Sequence, residues 1–527
     1  MTIKSITPYQ ILDSRGEPTL MVSMTSDNDL RATYAVPAGS SLGSEEAVEK
    51  RDGEGPYNGL GVTKCIEIID STITPKFIGY PLDQLQDFDG LLIALDGSER
   101  KQNLGANTLL ALSGAYLKLS AKVKQQPLWQ YIAEHNQTSP EFPRLFACIV
   151  GGGKHAPGLD IQEFLVAPQN NQPSVAISNI YDIYQTTQKI MQNLYGPSSS
   201  LVGDEGGLAP IGANTEVVLE TLSGINSKMT DKFDISLDSA ANSFYQDGLY
   251  NIETQQLHSS DLYKLYQDWN AKFNIFSIED PFAEGDLEGT EIIKGLVGQG
   301  QNKPFMIFAD DFTVSNKAKI EVLQADALFD GIVIKPNQVG TFTETFEAIA
   351  AARASKAKVI ISQRSGETID SLIADLAYGV GAMGLKLGAP ARGERIAKYN
   401  RLLEIEADLD SNQKKAAEYK VVSSPQPIEK SPSVEPNSSP APNTEESMPE
   451  PVNFQPPASP LQQDSKPTPN PTPAPPPPTP QVESSTPAPD RTPIAQAPTN
   501  PTTPKQLPNS QDSSNSNVNP NIPTLST

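Results

Sequence analysis

Cysteine is nearly absent: the 527-residue chain has two, Cys65 and Cys148. Both sit in apolar surroundings and read as core residues, which excludes a disulfide scaffold or a cysteine metal site and suits a reducing compartment. Long apolar runs are missing too. No stretch of about 18 apolar residues offers a membrane span. The first ten residues, MTIKSITPYQ, hold no apolar core, so no signal peptide is expected. Positive charge is in short supply, with 40 Lys and Arg against 63 Asp and Glu, a formal net charge of -23. Phosphates would repel such a surface, which excludes nucleic acid and anionic membranes as partners and reads as solubility. Tryptophan occurs twice, and both copies precede residue 411.

What is present divides into two polymers. Up to about Leu409 the mixture of apolar, charged and glycine residues is globular. Residues 411–527 are rich in Pro, Ser, Thr, Asn and Gln and carry more than half of the 47 prolines. Such a segment cannot bury enough apolar area to offset its ordering entropy, and a disordered tail is expected. PTPNPTPAPPPPTPQ within it favours polyproline II, and serves as a spacer or as a ligand for an aromatic groove.

The globular part changes rhythm. Residues 1–135 read as an α+β domain, with TLMVSMTS alternating like a strand and LGANTLLALSGAYLKLSAKV long enough for a helix. Over 140–409, eight short apolar runs alternate with helix-compatible stretches: LFACIV, IQEFLV, DISLDS, NIFSIED, FMIFADD, GIVIKP, VIISQR and MGLKLG. That alternation predicts parallel βα units closing into an eight-stranded barrel of the TIM type. The runs carry Glu163, Asp238, Glu279, Asp310, Lys335, Gln363 and Lys386 at their polar ends. In such a barrel the strand ends converge on one mouth, where chemistry sits.

Three of those ends, Asp238, Glu279 and Asp310, come from successive strands. Carboxylates that converge repel one another unless a cation joins them, and an all-oxygen set selects Mg²⁺ over zinc. Lys335 and Lys386 face them. A lysine beside a metal and a second lysine is expected to have a lowered pKa and to serve as a base near neutral pH, or to pair with the acids. In LVGDEGGLAP, Asp204 and Glu205 precede two glycines, and Glu205 is a candidate general acid. IVGGGKHAPGLDIQEF is not a phosphate loop of the Walker type, because Cys148 and His155 occupy its defining positions. It does expose His155, a residue that is either structural or a substrate contact. Together the residues suggest proton abstraction beside a carboxylate, with Mg²⁺ stabilising the charge that develops.

Six segments, in order, resemble enolase: ILDSRGEPT, VGDEGGLAP, SIEDPF, IKPNQVGT, SQRSGETIDSLIADLAYG and LKLGAPARGERIAKYNRLLEIE. The resemblance covers about residues 1–409. It implies an α+β cap domain, a catalytic barrel and interconversion of 2-phosphoglycerate with phosphoenolpyruvate and water. It implies Glu205 as general acid for the 3-hydroxyl and Lys335 as base at C2. Asp238, Glu279 and Asp310 would hold a first Mg²⁺, and Ser41, on the loop PAGSSLG, would help hold a second. Arg364 and Ser365 would grip phosphate, Lys386 would face the carboxylate, and His155 and Glu163 would line the leaving hydroxyl. The family also implies a homodimer or higher homo-oligomer and a cytoplasmic location, with a secreted or surface fraction in some members.

Departures gather at the same mouth. Gln363 stands where enolases usually have histidine, from which weaker substrate binding is expected. Ala38, Ser40 and Leu42 alter the mobile loop, Leu387 replaces a threonine, and the His155 loop is about one residue short. A working enolase is one reading. A catalytically impaired relative that serves as a binding platform is the alternative, and an enzyme for another carboxylate is a third.

Overall fold

The computed structural model describes residues 1–40, 43–297, 299 and 304–423. Ser41 and residues 424–527, which include most of the expected disordered tail, lie outside the described residues.

The first domain begins with an antiparallel meander, β1 (Ile3–Leu12), β2 (Pro18–Ser26) and β3 (Arg31–Ala35). Helices follow, among them α1 (Leu85–Asp96) and α2 (Ala106–Val123). Nearly every residue of α2 from Ala106 to Ala121 is buried. A helix apolar all round belongs inside, and this one lies against β2 and β3.

All eight expected runs form strands, and they close a barrel in chain order. They are β4 (Arg144–Gly151), β5 (Glu163–Pro168), β6 (Phe233–Asp238), β7 (Ile275–Glu279), β8 (Met306–Ala309), β9 (Gly331–Ile334), β10 (Lys358–Ser362) and β11 (Gly384–Lys386). The last strand pairs with the first, Leu385 opposite Leu145. Inside, Phe146, Cys148, Leu165, Phe308, Val333 and Ile360 form a core of their own. The Phe146 and Phe308 rings meet edge to face at 6.3 Å. Gly331 and Gly384 make room for them, since a Cβ at either would lie under 3 Å from a ring. This plug closes the floor beneath the mouth, and Cys148 belongs to it as a buried free thiol.

One expectation fails. The barrel is not all parallel, because β5 runs antiparallel to both neighbours. Parallel neighbours need a crossover of a dozen residues or more, usually a helix. Residues 152–162, between β4 and β5, form only turns and bends. On the other side two helices, α3 (Pro173–Tyr195) and α4 (Thr215–Lys228), return the chain to β6. Glu163 therefore begins its strand instead of ending it, and still reaches the mouth, opposite Gly151 and Asp238.

The two domains are locked by polar contacts. Ala38 and Gly366 exchange backbone hydrogen bonds at 2.7 and 2.8 Å. Lys118 reaches Asp370 at 2.6 Å. Asp89, on α1, accepts the backbone N–H of Thr343 at 3.0 Å, at the start of α5 (Phe342–Ala354). The last helix, α6, spans Gly393–Ser423.

Candidate active site

His155, Glu163, Glu205, Asp238, Lys335, Gln363, Arg364, Ser365 and Lys386 line one cleft at the barrel mouth. The strand-end residues arrive by one logic. An apolar strand fills the interior and stops, and the next side chain meets the mouth. Asp238, Glu279 and Lys386 are last residues of their strands, and Asp310, Lys335 and Gln363 are the first residues beyond theirs.

The charges form two groups. Lys386 Nζ lies 2.9 Å from Glu163 Oε2, 3.1 Å from Asp238 Oδ2 and 2.8 Å from Glu279 Oε2. Lys335 Nζ pairs with Asp310, whose other oxygen accepts from Gln338 Nε2 at 3.0 Å. Burial pushes the Glu279 and Asp238 carboxyls up, and neighbouring acids add to it, against the pull of Lys386. Burial would raise Asp310 as well, but Lys335, with Lys386 and Arg364, together outweigh it and the carboxyl is lowered. Burial favours the neutral form of the two lysines, yet Asp310 holds the Lys335 proton, and Asp238 with Glu163 and Glu279 holds that of Lys386, so both are raised.

Beside Glu163 and Glu205, burial lowers His155 to about 4, so it is a neutral imidazole. Its Nδ1 is 3.8 Å from Glu163 Oε1 and 3.7 Å from Glu205 Oε1, and it makes no hydrogen bond within the protein. Burial, and then the charge of Glu205, pushes Glu163 up to about 7.

Do these residues fit a hard divalent cation? The mouth gathers Glu163, Glu205, Asp238, Glu279 and Asp310 around two lysines, an excess of buried oxygen ligands over cations. That donor set suits Mg²⁺. Among the described residues, the tightest oxygen groupings are Asp280 with Asp310 and Asp311, and Glu163 with Glu205 beside the Cys148 thiol. Asp280 is spoken for, because its two oxygens accept the backbone N–H groups of Asp310 and Asp311 at 3.0 and 2.8 Å. Asp238 and Glu279 are drawn together by Lys386, with Asp310 on the neighbouring strand held by Lys335.

Arg364 has a second anchor that the sequence alone does not reveal. Its Nη1 lies 3.0 Å from Glu46 Oε2 and 2.9 Å from Asn337 Oδ1, and Nη2 lies 3.2 Å from Glu46 Oε1. Glu46 also accepts from the Gly43 backbone N–H at 3.0 Å. A side chain at Gly39 would collide with the guanidinium. Arg395 escapes the sequence as well. It looks like a surface charge on a helix, yet it is fully buried. The signal for Glu46 is weak, an acid three residues beyond Gly43, and for Arg395 it is nil. Ser365 receives the Ser40 backbone N–H at 2.8 Å, while Ser41 lies outside the described residues.

Fold and site together define a capped barrel whose mouth holds buried acids paired with two lysines, beside a buried arginine. Two family profiles match: "Enolase, N-terminal domain" over residues 3–132 and "Enolase, C-terminal TIM barrel domain" over residues 141–423. Proteins named enolase are similar along most of the chain. That of Ehrlichia chaffeensis is 39% identical over 413 residues, 77% of this chain and 96% of its own. That of Elusimicrobium minutum is 38% identical over 416 residues, 77% and 96%. That of Methanocaldococcus jannaschii is 36% identical over 415 residues, 77% and 95%. The chain belongs to the enolase family.

Proposed function

We propose that the chain interconverts 2-phosphoglycerate with phosphoenolpyruvate and water through Lys335 and Glu205, which line the same mouth. The observation that carries this reading is their company: Lys335 stands among the strand-end acids, and Glu205 stands with His155 and Glu163. Lys335 takes the proton from C2. The electron pair of that C–H bond becomes the second bond between C2 and C3. The C3–O bond breaks, and its oxygen leaves as water with the proton delivered by Glu205. Arg364 and Ser365 hold the phosphate, the planar guanidinium matching its oxygens. Lys386 faces the substrate carboxylate, and His155 and Glu163 border the leaving hydroxyl.

Asp238, Glu279 and Asp310 would hold one Mg²⁺ and Ser41 would contribute to a second. The chemistry such ions supply is positive charge, which stabilises the carboxylate as it gains electron density and offsets the acids that retain the lysine protons. A homodimer or higher homo-oligomer and a cytoplasmic location belong to the same proposal. No helix of the described residues is long and apolar enough to cross a membrane.

The test is phosphoenolpyruvate formation from 2-phosphoglycerate, followed by ultraviolet absorbance with and without Mg²⁺. Mg²⁺-dependent turnover is expected, and Lys335→Ala is expected to lower it by roughly 10²–10⁴-fold. No turnover by the full chain at any Mg²⁺ concentration would leave the binding-platform reading standing instead.

A further inference from the structure

Gln363 stands at a position where the resemblance implies a substrate-binding histidine. It is buried between Arg395 and Glu205, which are also buried. Arginine carries only donors, so whatever faces it must accept. Arg395 Nη1 donates to Gln363 Oε1 at 2.6 Å and to the Arg364 carbonyl at 2.7 Å. Its Nη2 donates to the carbonyls of Ser365 at 2.6 Å and Asp204 at 3.0 Å. The amide oxygen of Gln363 is thereby turned to Arg395, and its NH₂ group must face the other way. There it donates to Glu205 Oε2 at 2.8 Å.

Gly388 keeps the arrangement closed. Its φ is +77°, and a Cβ there would lie 2.9 Å from Gln363 Nε2 and 2.7 Å from the Glu205 carbonyl. A side chain at position 388 would therefore crowd the amide.

We propose that Gln363 is a positioning residue for Glu205: anchored by Arg395, its amide N–H holds Glu205 Oε2 as an acceptor and confines the transferable proton to Oε1, the oxygen that faces His155. This rests on the role of Glu205 given above. A neutral imidazole at position 363 would accept from Arg395 at one nitrogen and present N–H to Glu205 from the other. Glutamine makes the same pair of bonds without ever becoming a cation. The consequence of this residue therefore falls on departure of the hydroxyl, not on the grip of the phosphate.

The experiment uses the full chain and two variants. Gln363→Glu keeps the acceptor for Arg395 and replaces the donor with a second carboxylate oxygen against Glu205. Gln363→His keeps both bonds. Steady-state kinetics give kcat and KM for 2-phosphoglycerate. Exchange of the C2 hydrogen in D₂O, read by NMR, reports proton removal separately from hydroxyl loss. For Gln363→Glu we expect kcat to fall by roughly a hundredfold, with KM and C2 exchange within about threefold of the parent. For Gln363→His we expect both constants within about threefold of the parent. A raised KM with unchanged kcat in Gln363→Glu would overturn the inference, and so would parallel loss of exchange and turnover. If Gln363→Glu does not fold, Gln363→His decides, since a KM lowered by about tenfold or more would mean that position 363 grips the phosphate. A parent without Mg²⁺-dependent turnover would sink the proposed function itself and this inference with it; an active parent with the wrong variant pattern sinks only the inference.

Discussion

At the scale of residues, Glu46 has the most exposed consequence. It is the counter-ion of Arg364, and both are buried where water cannot take its place. Glu46→Ala removes the carboxylate that both terminal nitrogens of this buried guanidinium reach, and is expected to cost about 3 kcal/mol or more of stability in a denaturant titration. A phosphorylated ligand supplies the missing anion. Saturating 2-phosphoglycerate is therefore expected to raise the melting temperature of the variant by more than that of the parent. Equal shifts would mean that Arg364 does not meet the phosphate. The acids and lysines at strand ends are legible in the sequence because an apolar run followed directly by a charge marks the point where a buried strand reaches a polar mouth. Glu46 and Arg395 are illegible for the opposite reason. A charge in a loop or on a helix looks solvated until the fold covers it.

At the scale of elements, the eight strands are readable from apolar runs, but the direction of β5 is not. Direction is set by what the connection can span, and the runs alone do not say that residues 152–162 lack a helix. The contact between α1 and α5 offers a sharper test. Asp89 Oδ2 accepts from Ser113 at 3.0 Å and from Thr343 twice, at 3.0 and 2.7 Å, while Oδ1 makes no hydrogen bond. Burial raises this carboxyl to about 7, against the lowering effect of the bonds from Thr343 and Ser113, with the Glu344 charge adding to the rise. The unfolded chain releases this proton near pH 4, whereas the folded chain holds it to about pH 7. Between those values the folded state binds more protons, so its stability falls as pH rises and is level above. At about 1.36 kcal/mol per pH unit, the upper bound is about 4 kcal/mol. Asp89→Asn is expected to remove that slope, so that the variant gains on the parent between pH 4 and pH 7. Parallel curves for the two proteins would show that Asp89 does not titrate there.

At the scale of the whole molecule, the residues assigned to the site all lie between Gly39 and Arg395. A chain ended after Ser423 is expected to keep its turnover and melting temperature, with kcat within about twofold of the full chain. A large loss of either would show that residues 424–527 serve catalysis or folding. The acidic excess and the Pro-rich composition are visible from a simple count, and together with the spacing of the runs they separate the barrel from the segment that follows.

The seam between β11 and β4 has a bearing on how the enzyme is made. These strands are about 240 residues apart in the chain, and their pairing completes the ring. During synthesis, Glu163, Asp238, Glu279 and Asp310 all emerge before Lys386, the cation that three of them share. Until that last strand arrives, Glu163, Asp238 and Glu279 lack the lysine they share, and water is their best solvent. Their desolvation and the arrival of the lysine are one event. A nascent chain short of residue 386 thus holds an open sheet with hydrated carboxylates, and the enzyme comes into being late, when the end of the barrel meets its beginning.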